Sequence, residues 1–75
     1  MNEDRRKQLR AIRSRLEMEK DRIESVRDEE DEARDNMPEG LVGSERYEHS
    51  EECSEAMDSA ISAIDEAIGF IEEAI

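Results

Sequence analysis

The chain has no tryptophan, one tyrosine and one phenylalanine, so aromatics are only 3% of its residues. That excludes an aromatic-rich core and any platform on which nucleic-acid bases could stack. Cys53 is the single cysteine, which rules out an internal disulfide and suits a reducing compartment. One proline and three glycines among 75 residues leave room for one break in regular structure, and they do not form a glycine-rich phosphate loop. No apolar run approaches the roughly 18 residues of a membrane span, and no charged-then-apolar leader opens the chain, so a soluble, cytoplasmic protein without membrane contact is expected. Basic residues are outnumbered, 11 Lys and Arg against 23 Asp and Glu, for a net charge of -12. Direct binding to nucleic acid or to an anionic membrane is therefore disfavoured over most of the surface.

What is present is charge and helical periodicity. Charged residues are 45% of the chain, a composition shared by disordered segments and long helices, and periodicity decides between the two. From Leu9 a three-four spacing runs through Ile12, Leu16, Glu19, Ile23, Val26, Glu30, Ala33 and Met37, the pattern of a coiled-coil seam. Asn2 followed by Glu3 and Asp4 supplies a cap and an acidic first turn, and Pro38 disfavours helical geometry at Met37. The spacing predicts one helix over 3–35, a loop over 36–43 and a second helix over 44–75 capped by Ser44. Residues 1–75 thus form a single helical hairpin, antiparallel because its connection is short.

The second helix carries two adjacent rows. Tyr47, Ser50, Ser54, Met57, Ile61, Ile64, Ile68, Ile71 and Ile75 make one, and Cys53, Ala56, Ala60, Ala63, Ala67, Phe70 and Ala74 make the other. One partner helix is too narrow for both, so the first helix is expected on the isoleucines. The small residues Ala56, Ala60, Ala63, Ala67 and Ala74, with Phe70, are expected to meet another chain, most simply its second helix. The fold class is all-α, a two-helix hairpin forming a homo-oligomeric bundle, with a dimeric four-helix bundle the simplest case. A chain this short needs such help, since its core alone is small. Charge supports the hairpin: residues 1–27 carry nine basic against six acidic groups, and residues 28–75 two against seventeen. Antiparallel packing brings Arg5, Arg6, Lys7, Arg10 and Arg13 toward Asp65, Glu66, Glu72 and Glu73.

No nucleophile is paired with a base, so no enzyme is expected, and no cofactor. Cys53 falls on the alanine row with no basic neighbour in sequence and reads as a packed thiol. Glu30, His49 and Glu52 are weak candidates for a metal, being compatible ligand types near one end of the hairpin. The duplicated Glu-x-x-His of di-iron bundles is absent, since Arg46 stands three before His49. Glu19 and Glu30 interrupt an apolar seam, either as acids of raised pKa or as residues that set register. The basic opening leaves a small anionic ligand as an alternative partner. The acidic run Asp28-Glu29-Glu30-Asp31-Glu32 with Glu48, Glu51, Glu52 and Glu55 leaves mimicry of DNA as another.

The connection is longer than a turn requires. Its residues Asn36, Met37, Pro38 and Glu39, with Arg46, Tyr47 and His49 beyond it, form the expected partner-binding end. The same stretch, Asp35-Asn36-Met37-Pro38-Glu39-Gly40-Leu41 followed by Ser44-Glu45-Arg46-Tyr47-Glu48, resembles short helical proteins of bacteriophages and mobile elements of Gram-positive bacteria. That resemblance implies an origin and no particular chemistry. The expected function is that of a non-enzymatic binding protein, a helical homo-oligomer acting on a host protein in the host cytoplasm, with inhibition of host defence as one such role. A small-ligand or metal-binding bundle is the alternative from another class.

Overall fold

The computed structural model describes residues 1–75. It contains α1, Glu3–Asp35, a single 3₁₀ turn at Glu39–Leu41, and α2, Glu45–Ala74. The Asn2 side chain accepts the Arg5 amide at 2.9 Å, and the Ser44 hydroxyl accepts that of Tyr47 at 3.3 Å. Each cap satisfies an amide that its helix leaves without a backbone partner. Between the helices the Leu41 amide bonds to Pro38 and the Ser44 amide to Leu41. Gly43, at φ 84°, is the one residue with positive φ, a conformation strained for any residue with a Cβ.

The helices pack antiparallel along their length in a body of 60 × 15 × 11 Å. Such a shape encloses little. Ile61 and Ile68 are the only buried hydrophobic residues, each 8% exposed, and no side chain is fully buried. Tyr47, Met57, Ile64, Ile71 and Ile75 of α2 and Leu9, Leu16, Ile23 and Met37 facing them are half-buried. The isoleucine row of α2 therefore faces α1, and the alanine row stays largely uncovered, with Phe70 67% exposed.

On α1 the row that faces α2 differs from the spacing read above. Leu9, Leu16, Ile23 and Glu30 lie in the contact, while Ile12, Glu19, Val26 and Ala33 are exposed. Arg13, Lys20, Arg27 and Arg34, also seven apart, take their place. Lys20 Nζ bonds to Asp65 at 2.9 Å, Arg27 Nη1 to Asp58 at 2.8 Å, and Arg13 approaches Glu72 at 4.0 Å. Each step of seven along α1 is answered by a step of seven back along α2. These long side chains lay their stems on α2 and carry their charges to its acidic edge, so a basic row occupies a half-buried position that alternation alone assigns to apolar residues. Each exposed pair is weak in stabilising energy but sets the roll of one helix on the other.

This geometry also revises the pairing of the termini. Only Arg13 of the basic opening reaches the acidic end of α2, whereas Arg6 and Arg10 bind Glu3 within their own helix. Within α1 Arg34 pairs with Asp31 and not with Glu30 four residues before it, and Arg27 pairs with Asp28 and with Asp58 of α2 and not with Glu24.

The hairpin is thus two-edged. One edge is closed by the ion pairs. The other is a mainly apolar strip built from the displaced row of α1, interrupted by Glu19, and the alanine row of α2, with a shallow hollow of about 450 Å³ where Ile23 and Val26, flanked by the Glu19–Arg22 pair, face Ala56, Met57 and Ala60.

Candidate functional site

Near the loop the interior changes character. Ser50 and Ser54 are the only buried polar residues. They occupy positions on the row that holds isoleucine further along α2, and they bring hydroxyls where α1 presents Glu30, Asp31 and Arg34. Arg34 Nη1 donates to the Ser54 hydroxyl at 2.9 Å, the Ser50 carbonyl at 3.2 Å and the Ser50 hydroxyl at 3.3 Å, while Nη2 donates to Asp31 at 2.8 Å. Ser54 donates to Asp31 at 2.6 Å and Ser50 to Glu30 at 2.9 Å. No buried side-chain nitrogen or oxygen lacks a partner, as a polar cluster away from water requires.

The cluster polarises its members. Hydrogen bonds from Ser54 and then Arg34 hold the Asp31 carboxyl below its ordinary value, and the bond to Asp31 raises Arg34 in return. Asp31 is therefore more acidic folded than unfolded. Its contribution to stability is complete above the unfolded value, near pH 4, and is lost as pH falls through the lower folded value. The difference in melting temperature between the native chain and Asp31→Asn is expected to be steady near neutrality and to shrink below about pH 4. A difference that persists unchanged down to about pH 2 would mean that the Asp31 charge plays no part in the cluster.

Above this knot lies a groove of about 580 Å³ at the loop end, lined by Glu30, Ala33, Asn36, Met37, Pro38, Leu41, Arg46, His49, Ser50 and Cys53. It gathers five of the residues assigned to the binding end: Asn36, Met37, Pro38, Arg46 and His49. Tyr47 and Glu39 do not line it; Tyr47 is half-buried and Glu39 is exposed in the 3₁₀ turn. Glu30, Leu41 and Cys53 join the groove without having been assigned to it. Their signal in the sequence was indirect: Cys53 lies one turn beyond His49 on a helix, and Glu30 lies opposite Ser50 in the antiparallel register.

Cys53 does have a basic neighbour. Its Sγ is 3.6 Å from His49 Nε2, a contact that the four-residue separation creates once the segment is helical. The three weak metal candidates are not gathered into one ligand set. Glu30 accepts from Ser50, His49 Nδ1 stands 4.0 Å from Glu52, and no group of three His, Cys, Asp or Glu side chains converges anywhere in the chain.

Met37, Pro38 and Leu41 bring apolar surface to the groove, and Asn36, Arg46 and His49 bring hydrogen-bonding groups. Neither helix is long and apolar enough to cross a membrane. Comparison with protein-family models, curated proteins and solved structures finds no match to this chain.

Proposed function

We propose that the chain is a non-enzymatic binding protein that acts as a homo-oligomeric helical bundle and presents its loop end to a host protein. The observation that carries this reading is the loop-end groove, in which apolar and hydrogen-bonding side chains meet over a polar cluster that ties α1 to α2. A binding surface benefits from such support because its residues are held in place before the partner arrives. The resemblance of the Asp35–Leu41 and Ser44–Glu48 segments to short phage and mobile-element proteins supports a working place in the cytoplasm of a Gram-positive host, and inhibition of host defence is the role proposed there.

A photoactivatable cross-linker placed at Met37 or at Arg46, and at Asp65 on the ion-paired edge as a control, tests the site in a Gram-positive lysate. The expected result is one host protein captured from the loop end alone, with capture lost in Arg46→Ala and His49→Ala while helicity and melting are kept. Equal capture from Asp65, or indifference to both alanines, would remove the loop end from consideration. The groove volume also falls in the range of small-molecule sites, about 300–1,000 Å³, so a small ligand is the second reading. Native mass spectrometry of the purified protein separates the two, because a retained small molecule adds a fixed mass that Arg46→Ala would remove.

A further inference from the structure

We infer that a second copy of this chain covers the apolar edge in one orientation, with the two-fold axis parallel to the helices, so that α1 of each chain lies over α2 of the other and both loops emerge at the same end. This rests on the homo-oligomeric part of the proposed function and is independent of what the loop end binds.

Area argues for a protein-sized occupant. A compact monomer of 8.7 kDa ordinarily exposes about 4,700 Å², whereas this chain exposes 5651 Å². The excess, about 900 Å², is close to the roughly 800 Å² that each partner contributes to an ordinary stable interface. The strip itself has the make-up of an interface centre. Ile12, Val26 and Phe70 are 43%, 54% and 67% exposed, and the alanines between them allow a helix to approach closely.

Charge selects a second copy and its orientation. Beyond the strip on α1 runs the row of Arg15 and Arg22, seven residues apart, and Arg22 is held only by Glu19 of its own helix at 3.1 Å. Beyond the strip on α2, three residues after Ala63 and Phe70, runs the row of Glu66 and Glu73, both exposed. One rim is basic, the other acidic, and both belong to the same chain. An axis parallel to the helices lays the basic rim of each copy on the acidic rim of the other, at the same height along the bundle. Nearer the loop, Glu29 on the α1 row and Glu52 on the α2 row lack a neighbour of opposite sign. An axis across the helices would instead set arginine row against arginine row and glutamate row against glutamate row, which like charges disfavour. Ala33 and Cys53 lie on the same two rows as the strip, so the parallel arrangement turns the two loop-end grooves toward each other at one end of the bundle.

The full chain carrying Cys53→Ala and Glu39→Cys, spin-labelled at the loop, reports the orientation directly. Sedimentation is expected to give a dimer, and the two labels should lie within about 30 Å, given helices about 10 Å apart. A dimer whose labels are separated by nearly the 60 Å length of the hairpin would overturn the orientation. A monomer at about 100 μM, where interfaces of this size are normally occupied, would overturn the second copy as occupant, and any stoichiometry other than two would do the same; neither outcome bears on capture by the loop end. Arg15→Glu with Arg22→Glu is expected to weaken the dimer about tenfold, and adding Glu66→Arg with Glu73→Arg to recover it. An unchanged dimer in the first variant would also overturn the orientation, since the crossed arrangement merely exchanges one like-charge contact for another.

Discussion

Ile61→Ala is expected to destabilise the chain by about 2–4 kcal/mol, more than truncation of any aliphatic residue of α1. Ile61 and Ile68 are the only hydrophobic residues that the hairpin itself buries, and a core with so few members has few neighbours able to close the space left behind. Urea unfolding followed by helicity measures the loss. The same truncation at Ile12, 43% exposed, should cost less than about 1 kcal/mol within the hairpin. Any larger cost at Ile12 should depend on protein concentration, because Ile12 lies on the edge assigned to the second copy. Equal losses at the two positions at every concentration would mean that α1 faces α2 by the simple apolar row, and that the roll imposed by Arg13, Lys20 and Arg27 is absent in solution.

The second large effect is expected at Arg34. This one guanidinium holds Asp31 on its own helix and Ser50 and Ser54 on the other, so Arg34→Met takes the ion-pair partner from Asp31, leaving it the Ser54 hydroxyl alone, and removes the tie to Ser50 and Ser54 across the helices. The variant should melt several degrees lower, and hydrogen exchange should rise first at the amides of residues 50–54, opening the loop end before the remainder. Arg34→Lys should restore little, since an ammonium is a point charge that cannot present a planar fork to several acceptors. Arg34→Met combined with Asp31→Leu should recover most of the loss, because removing both partners leaves no unpaired charge. If the double variant is as unstable as Arg34→Met alone, the cluster contributes through something other than the satisfaction of Asp31. The loop-end groove stands on this cluster, so Arg34→Met is also expected to weaken capture through Arg46 and His49.

These two expectations show where the sequence was readable. The isoleucine row of α2 could be followed by spacing because from Met57 onward each of its members is apolar and a helix repeats every 3.6 residues. The helices and their caps were readable for a similar reason: Asn2, Pro38 and Ser44 act on the backbone within a turn of themselves. The polar cluster was not, although Ser50 and Ser54 interrupt an otherwise apolar row. The bonds that explain them run to residues about twenty positions away, and their partners Asp31 and Arg34 sit in a stretch so charged that no single member stands out. His49 was read as a weak metal candidate and a residue of the binding end, and Cys53 as a packed thiol; one turn of helix makes them neighbours.

The amino-acid sequence by itself determined that this chain is two helices joined at one break, because composition, capping and the single proline act locally and have no competitor elsewhere in the chain. It also determined which face of α2 turns inward, since apolar side chains leave water wherever they are given a partner. Only the tertiary structure decided how α1 rolls on that face. Two rows of α1 compete for the position beside Leu9, Leu16 and Ile23: a mainly apolar one, Ile12, Glu19, Val26 and Ala33, and a basic one, from Arg13 to Arg34. Local spacing favours the apolar row. The acids at Asp58, Asp65 and Glu72 tip the outcome to the basic one, because a lysine or arginine lets its stem cover apolar surface while its charge reaches an acid on the facing helix. That choice leaves Ile12 and Val26 on the outer edge beside the alanines, the surface proposed above for a second copy.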